Sequence, residues 1–221
     1  MDTELGRFVL CEQPKGMEQT NITSTEQEVL RLLSDGPILQ SQILDTTGNP
    51  FIYQRCLDNL MERGLVIASA FTPTDALHVL GQYRYGSAEA AEMGAALWAR
   101  RLNIGVEELC QRVVQQVIVQ AGQAVIASAL AEEGSPTLSD QDRVANLLIE
   151  RALRDNDEGS FSVTLSTRHP LIGIGAPAAA YLPSVAEQLH TDIHIPEHAE
   201  VANAVGTVAG GVVQTVRILI R

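Results

Sequence analysis

The chain has 221 residues, a formal net charge of −12 from 15 basic and 27 acidic residues, and 45% hydrophobic but only 4% aromatic residues. That composition excludes a disordered chain, and the acidity opposes any function resting on a phosphate backbone, because counterion release needs clustered Lys and Arg. Cys11, Cys56 and Cys110 are widely spaced with no CxxC, which argues against a disulfide framework or a zinc knuckle and makes a reducing cytoplasm the expected compartment.

Residues 1–24 hold FVLC and then a polar stretch with Pro14 and Gly16, read as a short strand or tail followed by a linker. TSTEQEVLRLLSDG predicts a helix, with Ser24 or Thr25 as cap, Gln27 or Glu28 three residues on, and Gly36 as its stop. A second helix is expected over residues 38–46 and a third over 51–63, with Ile52, Cys56, Leu57 and Leu60 or Met61 on one face. LVIASAF then reads as a strand. Three short helices and a strand over residues 25–70 resemble a winged-helix module. Asp58 and Glu62 offset Arg55 and Arg63 on its third helix, so partner docking is favoured over DNA reading.

At residue 72 the pattern changes. Thr72 can cap a helix, with Pro73 at its first position and Asp75 in its first turn. Two longer helices follow, over 87–102 and 106–132. The apolar stretch 113–130 is broken by Gln115, Gln116, Gln120 and Gln123, and no bilayer span is expected from it. Ser139 as cap, with Asp140 and Asp142, predicts a further helix over 138–153. The acidic residues between Asp140 and Glu158 read as a solvated helix end.

Phe161, Val163 and Leu165 alternate with polar residues, as in a half-buried strand, and LIGIG at Leu171 is an apolar run of the buried-strand kind. Beyond it a helix is expected over 177–189, a strand over 192–195, a helix over 197–209 and a final strand over 212–220. This alternation is an α/β unit.

Gly173, Gly175 and Ala178 spell G-x-G-x-x-A, the spacing of a dinucleotide fingerprint. Pro177 removes one amide donor, and too few strands follow for a Rossmann sheet. A strand-to-helix turn is therefore the reading of these glycines. His190, His194 and His198 are four apart, but Pro196 breaks any helix through them, and no metal site is expected. No G-x-S-x-G elbow is present, and Cys56 and Cys110 fall inside predicted helices.

Two segments carry a family resemblance. TPTDALHVLGQY at 72–83, followed by an alanine-rich helical section with GVEEL at 105–109, is similar to the hydantoinase A/oxoprolinase family. So is HPLIGIGAPAAAYLPSVAEQLHTDIHIPEHAEVANAVGTVAGG at 169–211, with its glycine turn, proline-ended strand and A-x-A-x-G phrase at Ala202, Ala204 and Gly206. The resemblance covers residues 70–221 and implies one ribonuclease-H-like lobe of an actin, chaperone and sugar-kinase type clamp. On that basis residues 71–221 are an α/β lobe with a helical insertion (71–155) and a strand-helix-strand-helix-strand unit (160–221).

The same resemblance implies that Gly173, Gly175 and Ala176 contact the adenosine of ATP, that Asp75 and His169 lie at a cleft, and that magnesium accompanies the nucleotide. The implied activity is ATP-dependent hydrolysis of a cyclic amide of the hydantoin or 5-oxoproline class. The family's opening strand and acidic Gly-Gly-Thr phosphate loop have no counterpart in these residues. The chain is therefore expected to be a C-terminal lobe, inactive alone and completed by an N-terminal half or partner subunit. The alternative is a non-catalytic interaction or effector-binding protein with a winged-helix-like module. A small-molecule ligand and a second copy of the chain are the other partners considered, and no membrane partner is expected.

Overall fold

A computed structural model describes residues 6–12, 22–46, 49–84, 86–135, 142–154 and 160–209. The protein is mixed α/β, mostly helical, with two small sheets among the described residues. The chain gathers into two compact units, Met1–Cys110 and Gln111–Arg221.

In the first unit β1 (Phe8–Cys11) is the middle strand of an antiparallel sheet, between β2 (Ile38–Leu39) and β3 (Val66–Ser69). The register sets Phe8 opposite Ser69 and Leu10 opposite Ile67. The segment read as a strand or tail is thus the strand on which the sheet is built. Successive side chains alternate between faces, and Val9 and Val66, fully or almost fully buried, face a core shared with α1 (Ser24–Leu32) and α3 (Pro50–Glu62). Val29, Leu33, Ile43, Leu57 and Leu60 complete it. Each such aliphatic side chain contributes roughly 1.5–3 kcal/mol by leaving water.

Two local expectations for this unit are corrected. The cap of α1 is Thr23, not Ser24 or Thr25. Its hydroxyl accepts from the Glu26 amide at 3.3 Å, and the Glu26 carboxylate accepts from the Thr23 amide at 2.7 Å. This reciprocal box satisfies two orphan donors at once. Arg63, at the end of α3, reaches the same carboxylate at 3.3 Å and so fixes the register from outside the helix. The helix expected over 38–46 begins only at Gln40, as α2 (Gln40–Thr46), because Ile38 and Leu39 pair with Val9 and Phe8.

The cap at Thr72 forms as expected. Its hydroxyl accepts from the Asp75 amide at 3.3 Å, and Pro73 opens α4 (Pro73–Val79). Ser87 caps α5 (Ala88–Leu102), whose alanine stripe Ala91, Ala95 and Ala99 is buried. Helix α6 (Val106–Glu132) spans the division between the units. By length and composition alone it is the one helix among the described residues that could cross a membrane. Its buried positions Leu109, Cys110, Val114, Ile118 and Val119 recur at helical spacing, the pattern of a helix with one packed face.

In the second unit α6 meets α7 (Arg143–Ala152) through Gly122 and Leu153, the latter fully buried. Asp142 precedes the first turn of α7. Ser139 and Asp140, expected as its cap and first-turn acid, lie outside the described residues, as does the strand expected over 212–220. Among the described residues no strand forms over Phe161, Val163 and Leu165. A strand needs a ladder partner, and residues 160–167 have none among the described residues; Phe161 is half-exposed under the Arg151 guanidinium, 4.3 Å from the ring centroid. The following β4 (Leu171–Ile172) and β5 (Ile193–His194) pair in parallel around α8 (Ala178–Gln188). The last expected helix starts as a 3-10 turn, Ala199–Val201, and continues as α9 (Ala202–Ala209).

Candidate functional site

The turn from β4 into α8 carries the three residues singled out for nucleotide contact. Leu171 donates to the Asp192 carbonyl at 2.8 Å and Gly173 to the His194 carbonyl at 2.9 Å, continuing the parallel ladder. A Cβ on Gly173 would stand 3.1 Å from both Ile195 and Leu182 side chains, so its role is close approach of strand and helix. Gly175 has φ +106, a conformation L side chains rarely adopt, and the space where its Cβ would lie is open. The two glycines therefore do different work: one permits packing, the other lets the backbone turn with nothing projecting from it.

The amides of this turn are largely engaged. Gly175 donates to the Ala199 carbonyl at 2.7 Å, and Ala178 donates to the Gly175 carbonyl at 3.1 Å, while Pro177 has no N–H. Ala176 is exposed, and its amide has no hydrogen-bond partner among the described residues. A phosphate cradle needs several converging amides, which the turn lacks. A flat ring needs only an unobstructed backbone, which Gly175 and Ala176 offer. The turn thus presents open backbone at Gly175 and Ala176 but not the converging amides that a phosphate needs.

One residue here escaped the sequence reading. Tyr181, one turn into α8, is buried, and its hydroxyl has no hydrogen-bond partner among the described residues. Burial pushes its pKa up, keeping the hydroxyl neutral and a donor. Its only sequence signal is a lone phenol in an alanine-rich helix start.

His169 lines a cleft of about 730 Å³ in the second unit, between the C-terminal part of α6 and residues 165–171. The Thr167 and Thr191 hydroxyls donate to the His169 carbonyl at 3.2 and 3.0 Å and pin the loop. Arg168, Ser128, Glu132 and Glu133 share this cleft, and Leu171, the first residue of β4, and Leu189 also line it. His169 and the glycine turn thus stand at the two ends of one short strand.

Asp75 belongs to the first unit. Its Oδ2 accepts from the amide and the hydroxyl of Thr72, each at 2.7 Å, so this oxygen serves the cap of α4. His194 lies in β5, while His190 and His198 occupy left-handed turns with φ +46 and +64. Among the described residues no group of three or more His, Cys, Asp or Glu could hold a metal ion. The described residues by themselves therefore offer no donor set that fits magnesium.

On α3 the outward residues are Phe51, 87% exposed, Ile52, Arg55, Asp58, Asn59 and Glu62. Gln54 donates to Asp58 at 3.0 Å. The face carries two carboxylates to one guanidinium, with its large apolar residues at the N-terminal end.

Compared with known proteins, the chain matches no family model, no curated protein and no solved structure.

Proposed function

We propose that this chain is the nucleotide-side lobe of a hydantoinase/oxoprolinase-type protein, supporting ATP-dependent hydrolysis of a cyclic amide and inactive by itself. The observation that carries this reading is the β4 turn: an open, positive-φ Gly175 beside exposed Ala176, with a buried orphan hydroxyl on the helix that follows. When bound, ATP would supply the phosphoryl group that activates a carbonyl. This chain's share is to give the adenosine a flat backbone surface and to hold β4 and α8 in place through Gly173. On this reading phosphate and magnesium ligands come from an N-terminal half or partner subunit, since neither converging amides nor an acidic cluster is built among the described residues.

The test is titration of the purified chain with a fluorescent ATP analogue and competition by unlabelled ATP. Saturable binding that competes with ATP and is lost in Gly175→Val, without turnover, is the expected result. ATP hydrolysis by the chain alone at ordinary enzyme rates would overturn the half-site account, and absence of competed binding would overturn the nucleotide reading.

A second reading rests on the first unit. Its three helices and three-stranded sheet support a winged-helix-like interaction module, and the mixed, net-acidic face of α3 favours a protein partner over a phosphate backbone. A gel-shift with random duplex DNA at low salt is expected to show no retention. Retention that falls steeply with salt would instead make the module a nucleic-acid binder.

A further inference from the structure

The sheet of the first unit has two faces. Val9 and Val66 turn to the helical core, while Phe8 and Leu10, with Ser69 and Ile67 opposite them, turn the other way. Helix α5 covers part of this second face: Trp98 rests against Gly6, and Phe71 lies 3.3 Å from where a Cβ of Gly94 would be. The covering is incomplete. Between Phe8, Leu10 and Phe71 on one side and Met93, Leu97 and Trp98 on the other lies a cavity of about 530 Å³. That volume is within the roughly 300–1,000 Å³ of small-molecule sites. Met93 and Leu97 remain 58% and 55% exposed at its edge, so it opens to solvent.

Asp75 is the one ionisable residue among those lining this cavity. Its Oδ2 is committed to Thr72, and its Oδ1 has no hydrogen-bond partner among the described residues. A carboxylate only accepts, so the group that completes it is a donor, and a charged donor forms the stronger bond. The chain's net charge of −12 also draws cations and repels anions. Trp98 adds a π face that favours an aromatic ring or a cation.

We propose that this cavity is a binding site for a small apolar amine, its aromatic or aliphatic body between the sheet and α5 and its ammonium on Asp75 Oδ1. The site is separate from the glycine turn, and either can fail without the other.

Trp98 is the only tryptophan of the chain, so its emission reports on the cavity directly. Phenethylamine is expected to change that emission saturably, with a dissociation constant of about 1 mM or tighter. Hydrocinnamate, of similar size but anionic, is expected to bind at least about tenfold more weakly, the discrimination one charge-assisted bond supports. Asp75→Asn, which keeps an acceptor for the Thr72 cap, is expected to bring the two ligands to similar affinity. Ala90→Phe, which fills the cavity and leaves the cap untouched, is expected to lose phenethylamine while keeping the native circular dichroism. No saturable response, equal affinity for amine and carboxylate in the unmutated chain, or discrimination that survives Asp75→Asn would each overturn the proposal.

Discussion

Trp98 stands so close to Gly6 that a Cβ on that glycine would lie 3.0 Å from three atoms of the indole, and Gly6 itself has φ +87. Both constraints oppose any side chain at position 6. Gly6→Ala is expected to destabilise the first unit by about 1–3 kcal/mol. Denaturant unfolding followed by Trp98 emission measures this, and the native spectrum should shift to the red as the indole loses its contact. An unchanged midpoint would show that the backbone yields without cost.

The contact of Gly122 with Leu153 allows a test in which the sign of one substitution reverses. A Cβ on Gly122 would fall 2.5 and 2.9 Å from the two methyls of Leu153. Alanine favours a helix interior over glycine by about 1 kcal/mol, but here the overlap outweighs it, and Gly122→Ala is expected to destabilise. Leu153→Ala alone should cost about 2–5 kcal/mol, as a fully buried leucine does. In the Leu153→Ala background the added methyl at 122 enters vacated space, and Gly122→Ala should become stabilising. A double-mutant cycle by thermal unfolding reads the coupling.

Thr72, Pro73 and Asp75 show what was legible in the chain and why. A cap, a first-turn proline and an acid at the third position act within one turn, so four consecutive residues contain the whole interaction. Thr23 was misread because three overlapping registers satisfy the same box pattern, and Arg63, which bonds Glu26 of the true box, is 37 residues from that carboxylate in sequence. The centrality of Phe8–Cys11 was hidden for the same reason, its partners being strands from distant sequence. Residues 161–165 alternate properly and pair with no strand among the described residues, since alternation describes which faces would be buried and does not supply a neighbour. The glycine turn was legible as a turn, whereas the spent amides of Gly173 and Gly175 and the orphan hydroxyl of Tyr181 exist only in three dimensions.

The three thiols should separate by reactivity. Burial pushes the Cys56 thiol up to about 11, with the Glu26 carboxylate adding to the shift, and burial raises that of Cys110 as well. Since the thiolate is the reacting species, both should be silent toward a thiol-exchange reagent at neutral pH. Cys11, partly exposed, is expected to account for a single fast equivalent in the native chain, and all three should react in denaturant. Fast labelling of Cys56 in the native state would mean that the core beneath α3 opens readily.

Glu26 links the first unit's stability to pH. Its carboxylate is buried beneath the Thr23 amide, the largest cause holding its pKa below the ordinary value of 4.5; bonds from the Thr23 hydroxyl and Arg63 act in the same direction, against the opposing effect of burial. A group whose pKa is lower folded than unfolded stabilises the fold above the unfolded value, and that contribution disappears as pH falls through the folded one. The unit should therefore lose stability from about pH 4.5 downward as the unfolded chain takes up this proton first. Glu26→Gln removes the titration while keeping an acceptor for the Thr23 amide. The variant should be less stable than the parent at pH 7, by about 1 kcal/mol as for other cap losses, and the difference should shrink toward pH 3. A difference that stayed constant across that range would assign the effect to packing and not to the charge.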